Sequence, residues 1–140
     1  MSSGTECIFC KIIDGRLPSH KVWENDKFAA FLDINPISEG HTLAVPKKHA
    51  DYLFKIEKPV YSEIFNSVRD LSEPLRLATW AVRIGILIEG FLVPHAHIHM
   101  VPLKKGGDLD PEKAKKANPS ELTETAERIR REIKDVENGE

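Results

Sequence analysis

The chain has 140 residues, with 20 Lys and Arg against 22 Asp and Glu and a formal net charge of −2. That length suits one domain, residues 1–140, with a core of its own, and charge this evenly dispersed argues against a nucleic-acid groove or a basic membrane surface. No apolar run is long enough to span a membrane, and residues 1–6 lack the basic and apolar regions of a secretory signal. A cytoplasmic protein with reduced cysteines is therefore expected.

In chain order, Cys7 to Gly15 reads as a turn entering a short helix, with Ile8, Phe9 and Ile12 buried and Gly15 ending it. Lys21 to Asn25 and Phe28 to Ile34 flank a turn at Asn25-Asp26 and predict a β-hairpin. A loop over 35–40 leads to a third strand, His41 to Pro46, stopped by its proline. From Asp51 to about Thr79 the pattern is helical: Tyr52, Leu53 and Ile56, then Ile64, Val68, Leu71, Leu75 and Leu77. Pro59 opens the longer helix there, and Pro74 is expected to kink or end it. Trp80 to Gly90 is an apolar run suited to a central strand that leads directly into a histidine-rich stretch. Residues 104–118 predict a mobile surface loop, and its Gly106-Gly107 pair is too weak a signal for a phosphate loop. Asn118 as cap, Pro119 at the first helical position and Glu121 start a C-terminal helix over 119–136. Its stripe of Leu122, Ala126, Ile129 and Ile133 predicts docking on the sheet.

Three of the six histidines, His95, His97 and His99, occupy every second position between Val93 and Pro102. On a strand this places the three imidazoles on one face and Ala96, Ile98 and Met100 on the other. Crowding groups whose protonation is mutually unfavourable points to function. Two chemistries are open: a catalytic metal held by the triplet, or one neutral imidazole attacking phosphorus while its neighbours donate to the phosphoryl oxygens. The second favours the middle residue, His97, because flanking donors can reach the charge that develops. Cys7 and Cys10 are spaced to bind zinc if two further ligands arrive from elsewhere, and a redox pair or two inert thiols are the rival readings.

His95-Ala96-His97-Ile98-His99-Met100-Val101 resembles the signature of the histidine triad family of nucleotide hydrolases and transferases, in the variant with Val-Pro before the triplet. The likeness extends through Cys7–Gly15, Phe31–Pro36 and Gly40–His49. It implies an α+β fold, a five-stranded antiparallel sheet with flanking helices, a homodimer, and purine nucleotides bound against the sheet. It further implies attack by His97 on an α-phosphate through a nucleotidyl-histidine intermediate, with His99 and His41 around the phosphate. Asp33 and Asn35 then correspond to ribose contacts, and Phe9, Ile12, Phe31 and Ile34 to the base pocket. In zinc-containing relatives the positions of Cys7, Cys10, His49 and His95 form a structural metal site. Ile88 and Phe91 depart from the family pattern by replacing polar groups that meet the phosphate or the leaving atom. The resemblance thus supports a phosphoramidase or dinucleoside polyphosphate hydrolase, with a nucleotide- or partner-binding module of little catalytic activity as the alternative and a metallohydrolase ranked last.

Overall fold

The computed structural model describes residues 7–139, so the reading of residues 1–6 lies outside the described residues. In order come α1 (Ile8–Ile13), β1 (Lys21–Glu24), β2 (Phe28–Leu32), β3 (Thr42–Pro46), a 3₁₀ turn (Leu53–Lys55) and α2 (Lys58–Thr79). Then follow β4 (Arg83–Leu87), β5 (Ile98–Leu103), a second 3₁₀ turn (Pro111–Lys113) and α3 (Pro119–Glu137). The strands make one five-stranded sheet in the order β1-β2-β3-β5-β4, and every neighbouring pair is antiparallel. This is the α+β architecture that the resemblance implies.

Strand alternation gives the sheet two unequal faces. Phe28, Ala30, Leu32, Ala44, Ile98 and Met100 turn toward α2 and α3 and meet Ile64, Val68, Leu71, Leu75, Leu122, Ala126, Ile129 and Ile133 in the main core. Each fully buried Leu or Ile there contributes roughly 1.5–3 kcal/mol, which is why the α3 stripe docks as predicted. Ala29, Phe31, Leu43 and Val45 point the other way and are covered by Cys7, Phe9 and Cys10 of the α1 region. One row across that second face pairs Phe31 with Leu43, Leu43 with His99, and His99 with Leu87.

Several sequence expectations need correction. In α1 the buried pair is Phe9 and Cys10, whereas Ile8 is exposed and Ile12 half-buried. The helix turns its cysteine side to the sheet, which leaves Ile8 outward. Pro74 does not end α2, which continues to Thr79; the missing N–H removes one hydrogen bond, and Leu71, Pro74, Leu75 and Ala78 remain buried around it. Leu77 and Tyr52 are exposed. The strand after α2 is shorter than expected and lies at the sheet edge, with Trp80 in the left-handed region at φ 57° capping α2. It does not run straight into the histidines either: residues 88–97 are irregular, and only His99 of the triplet lies within a strand.

Residues 104–118 are surface chain carrying one 3₁₀ turn. They are tied to the rest by Lys115 N–H donating to Pro36 O and Ala117 N–H to Ile34 O, at 3.3 and 3.0 Å. The Asp108 carboxylate accepts from the amides of Lys104 and Lys105 at 2.9 and 3.0 Å. Asn118 caps α3 by accepting from Ser120 N–H at 2.8 Å.

Candidate active site and metal centre

Although His95 and His97 precede β5, the alternation of side chains persists through them. Ala96 and Ile98 enter the main core, while the rings of His95 and His97 lie 5.8 and 5.1 Å from Phe9 on the opposite face. The His97 and His99 ring centroids are 4.9 Å apart. Ala96 N–H donates to Ala50 O and secures this irregular segment beside the β3–α2 connection.

The backbone decides which nitrogen of each imidazole is available. A carbonyl oxygen only accepts, so a ring nitrogen facing one must carry the proton. His97 Nδ1 lies 2.7 Å from His95 O; the proton is therefore on Nδ1 and the Nε2 lone pair is left for chemistry. His95 Nε2 lies 2.8 Å from Pro46 O, so the proton is on Nε2 and the bare Nδ1 faces the sulfurs of Cys7 and Cys10 at 3.2 and 3.5 Å. His41 is set from the other direction: Ile37 N–H donates to its Nδ1 at 2.9 Å. Its proton is on Nε2, which donates to His99 Nδ1 at 2.9 Å and leaves the His99 proton on the outward Nε2. One backbone amide thus makes His99 a donor where His97 is an acceptor.

Electrostatics agree with neutral rings. Burial pushes His41 down to about 3, with His99 and His97 adding repulsion, and burial with His97 brings His99 to about 4. Burial raises the Asp33 carboxyl, opposed by the Asn35 amide and by His97. Asp33 Oδ2 is 3.7 Å from His41 Nε2; with His41 neutral this is no ion pair. Asp33, His41 and His99 also bring ligand atoms together, but the Nε2 proton of His41 argues against a metal between them. Gly40 positions His41: at φ +93° it takes a conformation disfavoured for side-chain-bearing residues, and an added Cβ would collide with the Thr79 methyl.

The second cluster is Cys7, Cys10, His49 and His95, whose ligand atoms all lie within 4.8 Å of one another. His49 Nδ1 is 3.3 Å from Cys10 Sγ. A tetrahedral zinc site with two sulfurs and two nitrogens separates its ligands by roughly 3.3–3.8 Å, so the donor set and its spacing fit that ion. Burial first, then Cys7, pushes the Cys10 thiol up to about 11; a divalent cation at the centre supplies the charge that would make both thiolates stable.

Residues 14–106 match the HIT-domain family model. The chain belongs to the histidine triad family. Among histidine triad relatives, an uncharacterized HIT-like protein of Borreliella burgdorferi is 36% identical over 120 residues, covering 81% of this chain and 86% of its own. The adenosine 5′-monophosphoramidase of Candida albicans is 38% identical over 116 residues, covering 74% of each chain. A zinc-bound histidine triad protein from Mycobacterium smegmatis superposes with a TM-score of 0.86 at 25% identity, over 99% of this chain and 100% of that one.

Within this histidine triad fold, Phe9, Phe31 and Ile12 share the smaller apolar cluster, with the Phe9 and Phe31 rings 5.4 Å apart edge to face. Ile34 is exposed and stands outside that cluster. Asn35 is exposed and gives its backbone amide to Asp33 at 2.8 Å. Sequence reasoning missed the groups that orient the rings, namely Ile37 N–H, Pro46 O and His95 O. It also missed Tyr52 and Phe54 beside His97. Every residue carries a backbone donor or acceptor, so only the lone Pro-Ile-Ser loop before Gly40 could have hinted at the first.

Proposed function

We propose that this protein hydrolyses purine nucleoside phosphoramidates or related adenylates through a nucleotidyl-His97 intermediate. The observation that carries this reading is the 2.7 Å bond from His97 Nδ1 to His95 O, which leaves Nε2 as a neutral nucleophile. In the first step the Nε2–P bond forms as the P–N bond breaks, and the amine leaves with a proton drawn from solvent. In the second, water attacks phosphorus, the Nε2–P bond breaks, and the nucleoside monophosphate departs while a proton returns to solvent. His99 Nε2–H, held outward by His41, stabilises the phosphoryl oxygens. Asp33 accepts from the ribose hydroxyls beside Asn35, and exposed Ile34 offers surface to the base next to the cluster of Phe9, Phe31 and Ile12.

Zinc at Cys7, Cys10, His49 and His95 supplies a closed structural crosslink between α1, the end of β3 and the triplet. His95 then serves the metal with its side chain and His97 with its carbonyl. The edge position of β4, with Ile86 and the preceding Val82 exposed, supports pairing of two edges in a homodimer; sedimentation of the purified protein at twice the monomer mass is the expected result.

The deciding experiment is intact-mass analysis after acid quench of protein mixed with an adenosine phosphoramidate. A nucleotide-monophosphate adduct mapped to His97 is expected. His97→Gln should lose the adduct and at least about four orders of magnitude in turnover. Micromolar nucleotide binding with no adduct and no turnover would instead identify a binding module, the reading favoured by apolar Ile88 and Phe91.

A further inference from the structure

A groove of about 360 Å³ lies among α2, α3 and β1 and is lined by residues of all three. Leu71, Pro74 and Ile133 in it are buried, and half-buried Trp23 and exposed Val136 complete the apolar part of the lining. The two remaining lining residues are acids, Asp70 and Glu137; no Lys, Arg or His lines the groove. A concave apolar surface of this size with a few polar groups is the usual form of a small-molecule site.

Those polar groups share one sign. Among the described residues neither Asp70 nor Glu137 has an ion-pair partner, whereas Glu39, Glu63 and Glu73 are each held by an Arg or Lys. Pro74 has no N–H, so the Asp70 carbonyl four residues back lacks the donor that an unbroken α-helix would give it. Glu137 is the last residue of α3, where aligned peptide dipoles leave partial negative charge. Trp23 adds the electron-rich face of an indole. At the other tryptophan that kind of face is already taken, with the Arg128 guanidinium 5.2 Å from the Trp80 ring. Trp23 carries no such cation among the described residues.

An anion would be repelled here, and a purely apolar molecule would strip water from the carboxylates and return nothing for it. A cation with an apolar body satisfies both halves of the lining. We infer that the groove of Trp23, Asp70, Leu71, Pro74, Ile133, Val136 and Glu137 is a binding site for a small primary alkylammonium, its chain on the apolar residues and its charge toward the two carboxylates and the indole. The site is separate from the triplet and does not depend on the reaction proposed at His97. β1 forms the rim of the sheet opposite β4, so pairing of β4 edges in a dimer leaves the groove open.

The test titrates the full chain with n-hexylamine, cationic at pH 7, with 1-hexanol as the uncharged analogue and hexanoate as the anionic one. The readout is the indole N–H resonance of Trp23 in a nitrogen-correlated NMR spectrum, assigned with a Trp80→Phe variant; Trp80 serves as the internal reference. Hexylammonium is expected to shift the Trp23 signal alone, with a Kd of about 1 mM or tighter. Hexanol should bind at least about fivefold more weakly and hexanoate more weakly still. Asp70→Asn combined with Glu137→Gln, both at exposed positions where folding is little affected, should weaken hexylammonium about threefold to tenfold. An unmoved Trp23 signal, equal affinity for amine and alcohol, or an unchanged Kd in the double variant would overturn the assignment. So would a capped lysine tripeptide that binds where hexylammonium does not, since the groove would then be a protein-docking surface.

Discussion

The molecule holds two histidine clusters a few ångströms apart and turns their rings in opposite senses. His95 turns its bare nitrogen to two sulfurs because Pro46 O holds the other nitrogen's proton. Two residues on, His97 is turned the other way by a carbonyl at Nδ1. Around the metal ligands the partners are soft thiols, and around His97 they are neutral imidazoles and a carboxylate. The same side chain offers a bare Nδ1, a bare Nε2 or an N–H according to which of its nitrogens the backbone claims, so the fold's carbonyls and amides set what each ring can offer.

The sharpest way to separate the clusters is to empty one. Cys10→Ser, or chelation of the native protein, should reduce bound zinc from about one ion per chain to near none and cost several kcal/mol of stability. Mass spectrometry of the metal and calorimetry would read this, with a fall in Tm of about 10 °C or more expected. Retention of zinc and Tm in Cys10→Ser would break the distinction. A smaller effect belongs to the other cluster. His41→Asn keeps an acceptor for the Ile37 amide, and it should leave zinc content unchanged while flattening the acid limb of stability.

The sign follows from proton binding. Below about pH 6.5 the unfolded chain protonates this histidine, whereas burial beside His99 and His97 keeps the folded ring neutral down to about 3. Wild-type stability therefore falls as pH falls through that window. Asp33, whose carboxyl is raised by burial, works in the opposite sense at lower pH. Between pH 7 and 4 the variant should gain roughly 2–3 kcal/mol relative to wild type in urea titrations. Parallel curves would show that His41 is charged in the folded protein. The smallest effect is a control outside both clusters: Asn118→Ala removes the α3 cap and should cost about 1 kcal/mol with zinc content unaltered.

Much of this arrangement was legible in the residues. Alternation from His95 to Met100 announced which side chains face the core, and the α3 stripe and its Asn118-Pro119 start were readable from helical spacing and cap chemistry. The ligand set of Cys7, Cys10, His49 and His95 came from family likeness, since two cysteines at that spacing fit several chemistries. The edge position of β4 was hidden because an apolar run reads alike at the centre and at the rim of a sheet, and Val82 and Ile86 are exposed there. Pro74 misled because a proline within a helix loses one bond, while burial on both sides of it holds the helix together. Phe54, in the Leu53–Lys55 turn, is exposed although an aromatic side chain in a sequence reads alike whether it is buried or bare.

The close seat of Gly40 against Thr79 carries a consequence for variation far from the triplet. The last turn of a 22-residue helix acts as the gauge that sets how near the His41 loop may come. A bulkier residue at either partner would shift that loop and break the hydrogen bond from His41 to His99 without touching a single histidine. Substitutions that unseat the His41–His99 pair should therefore be found on the far side of the sheet, where a survey confined to the pocket would never look.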